Sequence, residues 1–225
     1  MTPRGMIFGA DSIRAFQAGR KSQTRRVVAP GNSRVDGKGG KYLRRLWDIL
    51  DLDTATPDRG QGPALIAAEL DRSPYEPGAL HRITPVVAAG DLVWVREGYA
   101  VGKGYDPERG QPRALPRDFP TYARIWYRAD ADNGEDDSRR GVWRSPLYLP
   151  RHLARIEREV ARVRVQRVQQ ISAEDAVAEG CPDRWLSDYP NPRGWYERGW
   201  DELNADRGFP WAANPWVWAY GLEER

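Results

Sequence analysis

The stretch that decides our interpretation is Gly19-Arg20-Lys21-Ser22-Gln23-Thr24-Arg25-Arg26. It holds four cations and two hydroxyls in eight residues, so it is too charged to be a core element. Apolar residues flank it, with Ile13 and Phe16 before it and Val27 and Val28 after it. These flanks anchor the stretch at both ends, and we expect it to form one wall of a nucleic-acid or nucleotide site.

The pattern around this stretch predicts a helix before it and a strand after it. Asp11 or Ser12 is placed to cap a helix that runs through Ala18, and Gly19 is placed to end that helix. Residues 23–28 suit a strand. The cationic stretch is therefore predicted at a helix-to-strand junction, where backbone and side chains can both point into a pocket.

The rest of the chain predicts a mixed fold. Strand character is found at 80–87, 91–99, 122–128, 156–168, as one bent strand or a strand pair, and 215–222. One helix begins at Ser172 and ends at Gly180, and a second covers 195–203. Strands and helices do not alternate, so we predict an α+β fold, a small, mostly antiparallel β-barrel with helices packed outside it.

Length and charge limit the possible classes of protein. The 225 residues suit a single domain over 1–225, with insertions expected at about 30–75 and 100–140. The net charge is only +3, but Lys and Arg cluster at 20–26, 41–45, 139–144 and 151–167. Clustered base on a nearly neutral protein indicates a surface that faces a polyanion.

Cysteine and histidine usage gives no indication of a metal or another cofactor. Cys181 is the single cysteine, which excludes an internal disulfide and fits a reducing cytoplasm. His81 and His152 lie far apart in sequence, so we expect no zinc site. No apolar run approaches the roughly 20 residues of a membrane-spanning helix. We therefore expect a cytoplasmic protein that has no membrane partner and needs no cofactor.

Five motifs in chain order carry a resemblance to a known family. They are Gly19-Arg20-Lys21-Ser22-Gln23-Thr24-Arg25-Arg26, Gly90-Asp91-Leu92-Val93-Trp94-Val95-Arg96-Glu97, the proline-containing segment 143–151, Ile171-Ser172-Ala173-Glu174-Asp175-Ala176-Val177-Ala178-Glu179-Gly180 and Asn214-Pro215-Trp216-Val217-Trp218. With these motifs the chain resembles the ASCH domain family, and especially its longer versions in phages and prophages. The resemblance implies a β-barrel related to the PUA fold, binding of RNA or modified nucleotides, and no required metal.

One small bacterial branch of that family deacylates acetylcytidine with a lysine, a threonine and a glutamate. The resemblance implies these catalytic roles for Lys21, Thr24 and Glu179. A threonine hydroxyl needs a neighbouring base to remove its proton, and a lysine serves as that base only when nearby positive charge favours its neutral form. Glu179, at the end of the helix that Ser172 caps, would then protonate the leaving amine.

Other residues are candidates for binding the ligand. We expect Arg20, Arg25 and Arg26 in the cationic stretch, and Arg144 and Arg151 in the segment 143–151, to meet phosphate. The two prolines of that segment predict an extended, rigid backbone rather than a helix or a central strand. Trp126 and Trp143, each beside an arginine, are the candidates for stacking on a base.

Several alternatives remain open at this stage. The cations can form a phosphate-binding patch without catalysis, Thr24 can be an ordinary strand residue, and Glu179 can be a surface acid paired with an arginine. Most of the tryptophans suit core packing. The whole protein can accordingly be a non-catalytic RNA-binding or DNA-binding module, or a metal-independent ribonuclease. The sequence does not determine the oligomeric state.

Overall fold

The computed structural model describes residues 3–35, 55–60, 62–68, 80–105, 115, 123–131, 137–187 and 190–224. In chain order its strands are β1 (Arg4–Ile7), β2 (Gln23–Val27), β3 (Ser33–Val35), β4 (Thr56–Pro57), β5 (Leu65–Ala68), β6 (Leu80–Pro85), β7 (Leu92–Arg96), β8 (Tyr99–Val101), β9 (Ile125–Tyr127), β10 (Glu157–Arg167) and β11 (Trp216–Glu224). The α-helices are α1 (Ala10–Gln17), α2 (Ala173–Ala178) and α3 (Pro192–Asn204). Large parts of the two predicted insertions lie outside the described residues.

The chain divides into two compact units, which we describe one at a time. Unit 1 comprises Met1–Lys21, Asp91–Glu159 and Glu223–Arg225. Unit 2 comprises Ser22–Gly90 and Val160–Leu222. The single domain over 1–225 stays a prediction.

In unit 1, strand β1 pairs in parallel with β7, and β7 pairs antiparallel with the first residues of β10. Strands β8 and β9 form a separate antiparallel pair. Helix α1 buries Ile13, Ala15 and Phe16, and the ring of Phe8 packs edge-on against Phe16 with 5.1 Å between centroids. These apolar residues hold the helix before the cationic stretch, as the sequence pattern predicts.

The two ends of α1 differ in how well they were predicted. Gly19 has a φ of 68°, a left-handed conformation that favours glycine, and the prediction that it ends the helix is confirmed. The N-cap is Gly9, without a side-chain cap hydrogen bond, so the prediction of Asp11 or Ser12 as the cap was wrong. Asp11 lies in the first turn instead, where its negative charge is favourable and forms an ion pair with Arg14 at 2.7 Å.

Unit 2 contains the later part of β10, then β11 and β2 as hydrogen-bonded neighbours, and a second sheet in the order β3-β6-β5-β4. Strands β2 and β11 are antiparallel, with Thr24 opposite Tyr220 and Arg25 opposite Ala219. An apolar cluster that includes Val27 of β2 and Val217 of β11 packs with residues of α2 and α3. Its other buried members are Ala29, Val168, Ile171, Ala176, Tyr196, Trp200 and Trp211.

The helices of unit 2 begin and end largely as predicted. The Ser172 hydroxyl caps α2 by accepting a hydrogen bond from the Asp175 backbone N–H at 3.1 Å, and Gly180 follows the helix with a φ of 100°. Helix α3 begins earlier than predicted, because Asn191 caps it and Pro192 starts it. It has 13 residues, and no described helix is long and apolar enough to cross a membrane.

The fold class is confirmed at the level of a mixed α and β protein with mostly antiparallel sheets. The β1–β7 pair is parallel, whereas the β2–β11, β3–β6, β5–β6 and β8–β9 pairs are antiparallel. Strand β10 is one strand of 11 residues, which decides between the two alternatives for 156–168. No closed barrel is found among the described strands.

Candidate nucleic-acid site

A group of tryptophans and arginines lies on one face of unit 1. On β9, Ile125 and Tyr127 pack toward an apolar cluster that includes Trp94 and Leu153. Successive strand residues point to opposite faces, so Trp126 lies on the other face. The guanidinium of Arg124 lies over the Trp126 ring, with 4.7 Å from Cζ to the ring centroid.

The loop before β10 adds a second tryptophan to this face. The backbones of Arg144 and Tyr99 pair, with a hydrogen bond from the Arg144 N–H to the Tyr99 carbonyl at 2.7 Å. Trp143 precedes that pairing, and its ring meets two guanidiniums, Arg140 at 4.4 Å and Arg128 at 5.8 Å from Cζ to the ring centroid. We call the set Arg124, Trp126, Arg128, Arg140 and Trp143 the tryptophan–arginine face.

The members of the tryptophan–arginine face differ in exposure. Arg124 and Arg128 are exposed, and Arg140 and Trp143 are half-buried. Trp126 is buried, at 6% exposure. A guanidinium over an indole gains about 0.5–1 kcal/mol at an exposed site. The face thus holds cations and one accessible indole in defined positions, which suits contact with phosphate and with the flat surface of a base.

The remaining predicted phosphate ligands of unit 1 are buried, half-buried or paired with an acid. Arg144 is buried, at 4% exposure, and its charge opposes the burial that raises the pKa of Tyr99 to about 12. Arg151 is exposed but forms an ion pair with Glu157 at 2.8 Å. Arg20 is half-buried after helix α1. The extended backbone predicted for 143–151 is interrupted by two short 3-10 turns, Pro146–Tyr148 and Arg151–Leu153.

The cationic stretch enters a buried ionic network in unit 2. The side chain of Arg25 has no exposed surface, and its guanidinium bridges two carboxylates, with 2.6 Å to Asp175 and 2.9 Å to Glu179. Asp175 also accepts hydrogen bonds from Gln23 at 2.8 Å and from Arg164 at 2.9 Å. Arg25 was predicted to bind phosphate, but its guanidinium is enclosed by carboxylates of the protein.

Electrostatics in this network favour the ionised form of Asp175. Burial acts to raise the pKa of Asp175, but the hydrogen bonds from Gln23 and Arg164 and the charges of Arg25 and Arg164 outweigh it. The pKa of Asp175 is therefore lowered from its ordinary value. The network holds the start of α2 against β2 through charge-assisted hydrogen bonds.

The three predicted catalytic residues are all buried, with Lys21 at 6%, Thr24 at 5% and Glu179 at 7% exposure. Lys21 belongs to unit 1, where its ammonium lies 5.8 Å from the centroid of the Phe16 ring, whereas Thr24 and Glu179 belong to unit 2. On β2, alternation points Thr24 away from the face on which Arg25 contacts Glu179. The structure brings Glu179 to Arg25, and catalysis by Lys21, Thr24 and Glu179 stays a prediction.

Arg26 shares the strand face of Thr24. The residue as a whole is half-buried, but its Nε is enclosed, and burial lowers the pKa of Arg26 against the opposing charge of Glu179. Burial likewise raises the pKa of Tyr220, which lies opposite Thr24. An enclosed cation differs from the exposed phosphate ligand that the sequence predicts.

The sequence patterns did not identify which residues contact each other in the tryptophan–arginine face or in the ionic network around Arg25. From the sequence, Asp175 is recognised only as a member of the motif at 171–180, and Arg164 only as part of a basic strand. Arg140 lies in the basic segment 139–144 and Arg128 at the end of the predicted strand 122–128, but no spacing rule connects either residue to Trp143. The signal for Arg128 is the alternation of 124, 126 and 128, which predicts one strand face for all three. In the structure β9 covers only Ile125–Tyr127, and Arg128 begins a 3-10 turn directly after it.

Comparison of the chain with protein-family models, with curated proteins and with solved structures gave no match. Among the described residues, no group of three or more His, Cys, Asp or Glu side chains is arranged to hold a metal ion. The function is therefore inferred from the geometry of the tryptophan–arginine face and of the ionic network around Arg25.

Proposed function

We propose that this protein binds RNA, DNA or a modified nucleotide through the tryptophan–arginine face. The observation that carries the proposal is the position of Trp143, a half-buried indole whose ring contacts the guanidiniums of Arg140 and Arg128. Nucleic acids present flat bases beside regularly spaced negative charges. A face that combines an accessible indole with cations matches both features.

The resemblance to the ASCH family is part of this proposal. It supplies the expectation of a PUA-like barrel and of binding to RNA or modified nucleotides, and the mixed, mostly antiparallel fold agrees with the first of these only at the level of fold class. The residues of the tryptophan–arginine face support binding without that resemblance, because their contacts are seen directly.

Binding is tested with fluorescently labelled 12-nucleotide RNA and DNA, measured by anisotropy at low salt. We expect the protein to bind, and we expect Trp143→Ala to weaken binding about 5- to 150-fold, because stacking contributes about 1–3 kcal/mol per base. Trp185→Ala is the matched control, since Trp185 is a half-buried indole of unit 2 with Arg198 5.4 Å from its ring centroid. The proposal fails if neither nucleic acid binds, or if both variants weaken binding equally.

Amide hydrolysis of an acylated base is a second candidate function. It is favoured by the burial of Lys21, Thr24 and Glu179, because lysine and glutamate are rarely enclosed in a protein and enclosed ionisable groups concentrate at functional sites. The ion pair between Glu179 and Arg25 supports the structural alternative for Glu179. Binding and hydrolysis are separable, so each needs its own experiment.

Hydrolysis is tested by incubating the protein with a panel of acylated nucleosides and following the products by chromatography. We expect deacylated nucleoside from the wild type and no product from Lys21→Ala or Thr24→Val. Thr24→Ser, which keeps a hydroxyl, should retain part of the activity. Turnover that is unchanged in Lys21→Ala and Thr24→Val would exclude the assigned roles, and absence of turnover with every nucleoside would exclude this second function.

A further inference from the structure

Gly98, in the connection between β7 and β8, lies against the side chain of Arg128. A β-carbon added to Gly98 would stand 3.2 Å from Cβ and 3.3 Å from Cδ of Arg128. Apart from adjacent residues, its three nearest heavy atoms would all belong to that side chain. The backbone N–H of Arg128 also donates a hydrogen bond to the Gly98 carbonyl at 2.8 Å. The aliphatic stem of Arg128 therefore occupies the space that a side chain at position 98 would take.

The backbone conformation does not explain why position 98 is a glycine. Gly98 is not among the described glycines with a positive φ, so its φ is open to residues that carry a side chain. What a larger residue would meet is the stem of Arg128. The glycine is therefore explained by the close approach of this arginine.

An ion cluster holds the two backbone segments that meet at Gly98 and Arg128. Glu97 precedes Gly98, and Asp130 ends the 3-10 turn that Arg128 begins. The guanidinium of Arg155 contacts both carboxylates, with 2.8 Å from Nε and from Nη2 to the two oxygens of Glu97 and 3.1 Å from Nη2 to Asp130. Glu97 is buried, at 2% exposure. This charge-assisted pairing fixes both segments relative to each other.

The residue after Gly98 connects this junction to the accessible indole. The Tyr99 carbonyl accepts a hydrogen bond from the backbone N–H of Arg144 at 2.7 Å, and Trp143 directly precedes Arg144. The guanidinium of Arg128 lies 5.8 Å from the centroid of the Trp143 ring. Two consecutive residues thus hold the stem of the arginine and the backbone next to the indole that it contacts.

We infer that Gly98 is a positioning residue of the tryptophan–arginine face and, together with the Arg155 ion cluster, holds Arg128 ready to contact a phosphate beside a base on Trp143. This inference depends on the proposed nucleic-acid binding and names the residue that prepares its phosphate contact. An arginine side chain has many rotamers, and ordering it on binding costs affinity. A stem that is held before the ligand arrives avoids part of that cost.

The test adds one methyl group at position 98 and measures binding of the labelled 12-nucleotide single strand by anisotropy. Gly98→Ala places a β-carbon against the stem of Arg128 and changes no charge. Gly104→Ala is the matched control in unit 1, because Gly104 is exposed and a β-carbon there has open space around it. Both substitutions are made in the wild type and in Arg128→Gln.

We expect Gly98→Ala to weaken binding about 2- to 12-fold, the range for one side chain that must be ordered on binding. Gly104→Ala should leave the affinity unchanged. In the Arg128→Gln protein, Gly98→Ala should have no further effect, because its effect acts through the guanidinium of Arg128. A general loss of stability would instead weaken binding in both backgrounds.

A second substitution reaches the same junction from the ion cluster. Arg155→Lys keeps the charge but cannot bind both oxygens of Glu97 with one planar group. Its control is Arg82→Lys in unit 2, since the Arg82 side chain is 25% exposed, against 24% for Arg155, and also pairs with a carboxylate. We expect Arg155→Lys to weaken binding by up to about 12-fold, again only while Arg128 is present. This variant decides the inference if the added methyl group prevents folding.

Each possible failure has a distinct result. If the wild type binds and Gly98→Ala binds as tightly as Gly104→Ala, the role of Gly98 is overturned while the proposed function stands. If Gly98→Ala or Arg155→Lys weakens binding by the same factor with and without Arg128, the effect does not act through Arg128 and the inference is overturned. If the wild type does not bind the single strand, the proposed function and this inference both fall.

Discussion

At the scale of single residues, Arg25 is an enclosed cation that contacts two carboxylates. Its side chain is enclosed and bridges Asp175 and Glu179. Enclosing charges is costly, and the cost is offset only while every partner is present. Arg25 consequently contributes to folding through its ion pairs, which the sequence alone could not distinguish from a role in phosphate binding.

Replacing Arg25 by methionine should destabilise the protein strongly. Arg25→Met keeps most of the side-chain volume but removes the cation that both carboxylates contact, and breaking a buried pair in this way costs about 3–5 kcal/mol. Urea unfolding followed by circular dichroism measures the loss. Arg151→Met is the control, because its ion pair with Glu157 is exposed and such pairs contribute about 0–1 kcal/mol. Equal losses in the two variants would contradict the role of Arg25.

At the scale of elements, helix α2 connects its own cap to the ionic network. Ser172 caps the helix through the backbone N–H of Asp175, and the Asp175 side chain accepts hydrogen bonds from Gln23, Arg25 and Arg164. The same residue therefore links the first turn of α2 to strands β2 and β10. The short helix, at six residues, depends on these contacts because isolated helices of this length are unstable in water.

Removing the cap of α2 should have a moderate effect on stability. Ser172→Ala leaves the Asp175 N–H without its side-chain acceptor, and the loss of a serine cap typically costs about 1 kcal/mol. The effect is measured from the shift of the urea midpoint, compared with Ser187→Ala, whose exposed hydroxyl only donates to the Arg184 carbonyl at 3.4 Å. A shift no larger than that of Ser187→Ala would show that the cap does not contribute.

The Asp175 network should make stability depend on pH in the acid range. Because the pKa of Asp175 is lowered in the folded protein, its contribution is fully present above the ordinary carboxyl pKa of 3.8 and is lost as the pH falls through the lowered value. The free-energy difference between wild type and Asp175→Asn should therefore be largest near pH 7 and should shrink below pH 4. Urea unfolding over that range measures it. A difference independent of pH would contradict the assignment.

At the scale of the whole molecule, the distribution of charge is more informative than its sum. The net charge of +3 would give only weak attraction to a polyanion, but arginines at 124, 128 and 140 are gathered around two tryptophans. Other arginines are engaged with carboxylates, as Arg25 and Arg164 are. A basic cluster in the sequence therefore does not by itself identify a binding surface.

Salt should weaken nucleic-acid binding through the exposed arginines. Each cation that neutralises a phosphate of a single strand contributes about 0.7 to the slope of log affinity against log salt. Arg128→Gln should reduce the slope by about that amount, whereas Trp143→Phe should leave the slope unchanged because it alters no charge. Anisotropy titrations between low and moderate salt measure both slopes. An unchanged slope in Arg128→Gln would exclude phosphate contact by Arg128.

The sequence by itself determined those helix ends and strands that depend on interactions between residues close together in the chain. The capped start of α2 at Ser172, the left-handed glycines after α1 and α2, and most strand positions follow from propensities that act within a few residues. The alternation in 122–128 also predicts one face for Arg124, Trp126 and Arg128, although β9 itself covers only Ile125–Tyr127. The cap of α1 was mispredicted because Asp11 suits both the cap and the first turn.

Only the tertiary structure decided which side chains meet. Arg25 and Asp175 are 150 positions apart, and no local propensity selects their ion pair over a contact with phosphate. Trp143 joins the face of Trp126 because the backbone of 140–144 pairs with that of 99–102, a long-range choice made by hydrogen bonding. Burial then distinguishes the two cations, since it encloses the guanidinium of Arg25 and leaves Arg128 exposed.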